Sequence, residues 1–496
     1  MTATLTKTHA TKTPATDRPK TPQTPARNGS RLAVTRPATR VPQLKRSGKP
    51  DPTAHLSPRQ IEELGIELDA IREEILASRG AGDAAYIRKV IKVQRILEMG
   101  SRAVLLFSLF PPAWFVGTAG LSMAKILENM EIGHNVMHGQ WDWMRDPKIH
   151  SQSWEWDHAS PAELWKHSHN ELHHTYTNVI GRDNDLGYGI MRVDEDQRWV
   201  PANLGQPLYN FVNACLFEYG IAAYDLEIGK YLKGRKDKET FRRDGRKVLH
   251  KIRQQMTKDY VVYPLLSGPS FLPTVGANVT ANLVRNLWTH SVIMCGHFPE
   301  GVETFTKSSI EGETRGEWYL RQMVGSANIS GSKAMHLMTG NLSHQIEHHL
   351  FPDLPSNRYA EIAPKVRDLM KRYELRYVTG PLHKQVASAW KQVIMLSVPN
   401  GTWETAKSDP VGSAKQGTKA AIHCGAKAAS RLLRRVAPEP HDYETGGRRR
   451  MGIRLREPRL PGSVSSSAVS TMALHLLPTV AGRVISCLIA PNRSTS

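Results

Sequence analysis

Apolar positions fall into one amphipathic run and two longer blocks, separated by polar and basic stretches. The run is "HLSPRQIEELGIELDAIREEILASRG". Ser57 is placed to cap a helix, Pro58 suits its first position, and Gln60 completes a capping box. Ile61, Leu64, Leu68, Ile71 and Ile75 recur every three or four residues, which predicts one apolar face against protein or a lipid interface, ending near Gly80. Residues 103–127 are long enough to cross a bilayer once, but Pro111 and Pro112 remove amide donors in the middle. The pattern therefore predicts a hairpin over 96–110 and 113–130, in which Arg102 must snorkel or face protein. A second hairpin is predicted over 260–275 and 277–297, while 208–224 is only moderately apolar.

Charge then selects a topology. Residues 227–258 are dense in Lys and Arg, and a crossing at 208–224 would put them outside, against the positive-inside rule. With 208–224 in the interface, four crossings remain. The expected fold is an all-α integral membrane protein, four transmembrane helices in two hairpins with a cytoplasmic helical cap, in the cell (plasma) membrane. Both termini and the active site then face the cytoplasm. The 496 residues carry a net charge of +20, and residues 1–50 contain one acid, Asp17. That composition predicts a disordered basic tail over 1–56, followed by a domain over 57–400. No aromatics interleave the tail's charges, so nucleic acid is not an expected partner. Residues 401–496 lack periodicity and predict a disordered extension. Their apolar stretch 472–490 is interrupted by His475, Pro478 and Arg483, against a fifth crossing. Cys215, Cys295, Cys424 and Cys487 form no CxxC pair and fit a reducing compartment, and no N-terminal signal peptide is visible.

Histidine supplies the chemistry. "HNVMH" places His134 and His138 four residues apart, on one helical face. "HNELHHTYTN" combines an i,i+4 pair, His169 and His173, with His174, which points about 100° away and can serve a different metal. His167, just before them, is a neighbour rather than a ligand. "HQIEHHLFPDLP" adds His348 and His349, with Gln345 three residues before the pair. His344 is either a ligand or an interfacial histidine, the second being preferred. His297 falls level with these clusters, whereas His290 lies deeper and needs a polar partner, for which Asn286 is placed. His134, His138, His169, His173, His174, His297, His348 and His349 give eight imidazoles, more than one metal uses. Neutral nitrogen donors suit iron, copper or zinc, and zinc has no redox chemistry.

"HNVMHGQ", "HNELHHTYTN" and "QIEHHLFP" resemble the three histidine boxes of the membrane fatty-acid desaturases, over about residues 57–400. "NMEIGHNVMHGQWDWM", "GRDNDLGYG" and "HQIEHHLFPDLPSNRY" look closest to the actinobacterial acyl-CoA Δ9 desaturases of the stearoyl-CoA kind. The resemblance implies two iron ions held by those eight histidines, using O₂ and two electrons to make a cis double bond. Gln345 stands where other branches have histidine, as ligand, water-holder or neighbour of a ligand. Glu131, Glu171 and Glu347 are candidate acceptors for ring N–H groups. The implied substrate is an acyl-CoA or a lipid-linked fatty acyl chain, alongside membrane lipid.

The sequence shows no GxGxxG fingerprint, "HPGG" haem motif or iron–sulfur cysteine cluster. NAD(P)H is thus expected to act only indirectly, through a separate reductase. A front-end desaturase or a fatty-acyl hydroxylase would use the same scaffold. A metal transporter, the rival of another class, would need its polar residues inside the crossings.

Overall fold

The computed structural model describes residues 51–183 and 185–408, which are predominantly helical. Helix α1 (Pro58–Ser78) begins as its sequence dictates: the Ser57 hydroxyl accepts from the Gln60 amide, and the Gln60 side chain accepts from the Ser57 amide. Its face of Ile61, Leu64, Leu68 and Ile75 is buried against the helices Arg315–Val324 and Tyr359–Arg372, so it lies on protein. The crossing is close because Gly65 meets Gly316, where an added Cβ would lie 2.3 Å from the Ile61 carbonyl oxygen.

The first hairpin forms as α2 (Ala81–Leu105) and α3 (Pro111–Leu127), with Pro111 at a helix start rather than at the apex of the turn. Arg102 faces protein, 3.2 Å from Asp259 and 3.0 Å from Glu98, and Lys125 reaches Asp259 at 2.7 Å. The second hairpin is displaced. The chain turns at Gly268–Ser270, and one helix, Phe271–His297, runs through the turn expected near residue 276. Pro273 sits in that helix's first turn, where a missing amide donor costs nothing. Residues 208–224 divide into two short helices, Gln206–Cys215 and Phe217–Asp225.

The expected all-α integral membrane arrangement of four transmembrane helices in two hairpins requires correction. Among the described residues, no helix is long and apolar enough to cross a membrane. Helix α3 has 17 residues, and α2 carries Arg88, Lys89, Lys92, Arg95 and Glu98 along its length. The Phe271–His297 helix buries a polar stripe of Asn278, Asn282, Arg285, Asn286 and His290. Within it, Arg285 pairs with Glu218 and donates to Asn129 at 3.1 Å. Apolar side chains do gather, exposed, around the α2–α3 turn and the start of the Phe271–His297 helix: Phe107, Phe110, Phe115 and Leu272 are each more than 60% accessible.

Strands β1 (Asn328–Ser330) and β2 (Thr379–Pro381) pair in parallel, Ile329 opposite Gly380. Asn328 accepts from the Ile346 amide at 2.8 Å and so fixes the start of the helix Gln345–Leu350, which carries the third histidine cluster.

Candidate metal centre

The first two clusters lie on π-helical turns, Glu128–His134 and Lys166–His173, each continuing into a short α-turn. A π-turn inserts a residue into the α ladder and re-aims the side chains around it. Two buried groups result. The donor atoms of His134, His138, His169 and His348 lie within 4.8 Å of one another, as do those of His173, His297 and His349. His134 Nε2 is 3.1 Å from His138 Nε2 and 3.3 Å from His348 Nε2, and His297 Nε2 is 3.2 Å from His349 Nε2. His174 lies between the groups, stacked on His349 at 4.5 Å and edge-on to His138 at 4.7 Å. All eight predicted imidazoles are therefore brought together.

The outer nitrogens explain the aim of the rings. His169 Nδ1 lies 2.8 Å from Asp185, and His173 Nδ1 lies 3.0 Å from both oxygens of Asp183. Asp183 is itself fixed by the amides of Asn178 and Asp185. His348 Nδ1 meets the Tyr359 hydroxyl at 3.3 Å, and His349 Nδ1 meets Gln322 Oε1 at 3.1 Å. With Nδ1 occupied, Nε2 is left facing inward. His169 Nε2 and both ring nitrogens of His174 are buried without a hydrogen-bond partner. Buried polar atoms without partners are costly, and a cation satisfies several lone pairs at once. The donor set therefore fits metal.

Protonation agrees. Burial pushes His134 and His297 down to about 3, and holds His138, His169, His174, His348 and His349 well below the ordinary histidine range, so their lone pairs are available. His173 differs: burial pulls it down, but the charges of Asp183 and Asp185 prevail and raise it to about 9.

The other expected residues fall around this core. Gln345 Nε2 lies 3.1 Å from His297 Nε2, and its buried Oε1 has no partner. Gly296 makes room for it, since a Cβ there would lie 2.9 Å from the Gln345 side chain. His344 stacks on His336 outside both groups, and exposed His167 bonds Glu171 at 2.6 Å. His290 takes Asn210 as its partner at 3.1 Å, while Asn286 donates to the Cys215 carbonyl. The three candidate glutamate acceptors hold none of the eight rings. Glu131 receives Tyr86, Ser356 and Asn341, and Glu347 receives Asn328 and Tyr377. Asp183 and Asp185 do that work instead. The sequence offers no spacing signal for them beyond their place in "GRDNDLGYG".

Beside the first group lies a narrow cavity of about 40 Å³, with His134 and His169 in its wall. Met130, Trp156, Trp165, Phe217, Ile221 and Ile293 make it largely apolar. Two adjoining histidine groups, one of them bordering an apolar cavity, are the equipment of a metal-dependent enzyme.

The comparisons agree with that class. Residues 109–381 match the fatty acid desaturase family, and the chain belongs to it. The NADPH-dependent stearoyl-CoA 9-desaturase of Mycobacterium tuberculosis is 46% identical over 419 residues, covering 79% of this chain and 98% of that protein. The sn-1 linoleoyl-lipid 6-desaturase of Synechocystis is 28% identical over 298 residues, 56% of this chain and 80% of that protein. No solved structure matches.

Proposed function

We propose that this desaturase introduces a cis double bond at the Δ9 position of stearoyl-CoA, using O₂ and two electrons at a pair of irons. The observation that carries the reading is the pair of adjoining histidine groups, the first of which reaches an apolar cavity through His134 and His169. One ion would be held by His134, His138, His169 and His348, and the other by His173, His297 and His349. His174 would offer its unpartnered nitrogens between them, and the Gln345 amide would complete the second set. Bound there, irons supply an oxidant for an unactivated methylene, which side chains alone cannot provide.

The chain's own residues do the rest. The apolar wall beside His134 and His169 excludes water and is the side from which an acyl chain would bring one carbon pair to the centre. Asp183 and Asp185 hold His173 and His169 in their ligating orientation. Electrons come from a separate NAD(P)H-dependent reductase, in keeping with the NADPH named for the M. tuberculosis relative. The exposed apolar end around Phe107, Phe110 and Phe115 sits in the lipid of the cell membrane, with the histidine centre on the cytoplasmic side.

A front-end reading is favoured by one observation, the 28% identity to a lipid 6-desaturase. Gas chromatography of fatty acids from an expressing host separates the two. New oleate is expected; a Δ6 product would favour the second reading, and hydroxy acids would contradict both.

A further inference from the structure

One indole lies directly against the first histidine group. Trp165 is face to face with His169, ring centroids 4.4 Å apart with 22° between the planes. It is also edge-on to His134 at 5.1 Å and to His138 at 5.6 Å. Trp165 meets Trp156 at 5.4 Å, and half-buried Trp154 packs against the same cluster. Trp165 and Trp156 line the cavity, whereas Trp154 leads away from it, towards the core around Trp141. Two indoles in ring contact, with Trp154 packed against their cluster, thus leave the histidines. Indole gives up an electron more readily than most side chains, and a nicotinamide-level donor cannot reduce it. Such a row therefore carries oxidising equivalents outward from the centre and is no entry path for electrons from a nicotinamide-level donor.

We propose that Trp165, Trp156 and Trp154 drain oxidising equivalents from the centre when no acyl chain fills the cavity, an inference that rests on the O₂ chemistry proposed above. One electron leaves the Trp165 indole for the oxygen-derived oxidant. Trp156 and then Trp154 pass an electron inward to refill the vacancy, and an external reductant such as ascorbate restores Trp154. Two such passages add two electrons to the two given by the reduced irons, and with four protons from solvent each O₂ leaves as two waters.

The test carries the full iron-loaded chain through repeated cycles of anaerobic dithionite reduction, desalting and one O₂ pulse without acyl substrate, with and without ascorbate. Peptide mass mapping should find oxygen additions concentrated on Trp165, Trp156 and Trp154, with a zinc-loaded control clean. In Trp154→Phe the exit is broken while the cavity wall is intact. Oxygen additions to Trp165 and Trp156 should rise several-fold, ascorbate should lose its protective effect, and product yield with substrate present should be unchanged. Additions scattered over surface residues, or Trp154→Phe damage equal to wild type, would overturn the drain. If the loaded protein takes up no O₂ at all, the oxygen chemistry itself falls, and the drain with it.

Discussion

Asp183 shows what a single side chain does here. It holds His173 through both oxygens and is held in turn by two backbone amides. Asp183→Asn removes the charge and one acceptor at nearly constant volume. Iron affinity, read by chelator competition, is expected to fall about 10- to 100-fold; an unchanged affinity would remove Asp183 from the account. The buried imidazoles also set a pH dependence for the metal-free protein. His134 and His297 sit at about 3 in the fold against about 6.5 unfolded, so the unfolded chain takes up their protons first. Stability should be lost as pH falls from 6.5 towards 3, by about 1.4 kcal/mol per pH unit for each such ring. His173, raised to about 9, acts with the opposite sign. Its contribution is present below pH 6.5 and is lost as pH rises through 9. Urea midpoints across pH check both directions. His134, His138, His169, His173 and His174 were legible as a cluster because spacing on a helix is a local property, whereas His297 was singled out by its expected level with the clusters and by the family resemblance, not by spacing. The two aspartates were not legible, since they act from a loop 10 and 16 residues away from the rings they hold.

Among the elements, α1 was legible to its cap and its buried face, because both are written within one helical turn of the residues concerned. The second hairpin was not. Gly and Pro near residues 273–276 read as a turn, but Pro273 falls where a helix tolerates it. The π-turns carry no sequence signature, yet they orient the first two clusters. Asp259 ties three elements together, receiving Arg102 from α2 and Lys125 from α3 while it stands on a π-turn of its own. Asp259→Ala leaves two cations buried without their anion, and should cost about 3–5 kcal/mol in chemical unfolding. A change below about 1 kcal/mol would mean that water or Glu98 replaces it.

At the level of the whole molecule, hydropathy misled where it counted apolar residues without asking which side chains face inward. The Phe271–His297 helix reads as apolar, but its buried stripe is polar, and its apolar residues include exposed Leu272, Val279 and Val284. The apolar end that results is expected to hold the protein to lipid. Replacing Phe107, Phe110 and Phe115 together by Asp should move it from the membrane pellet to the supernatant with its iron retained; a variant that still pellets would refute that attachment. The central claim is that histidines from three distant parts of the chain hold a pair of irons. Elemental analysis of folded, iron-replete protein tests it most directly. The expected result is two irons per chain, falling in His134→Ala; a folded chain that carries none, or only one, would contradict it.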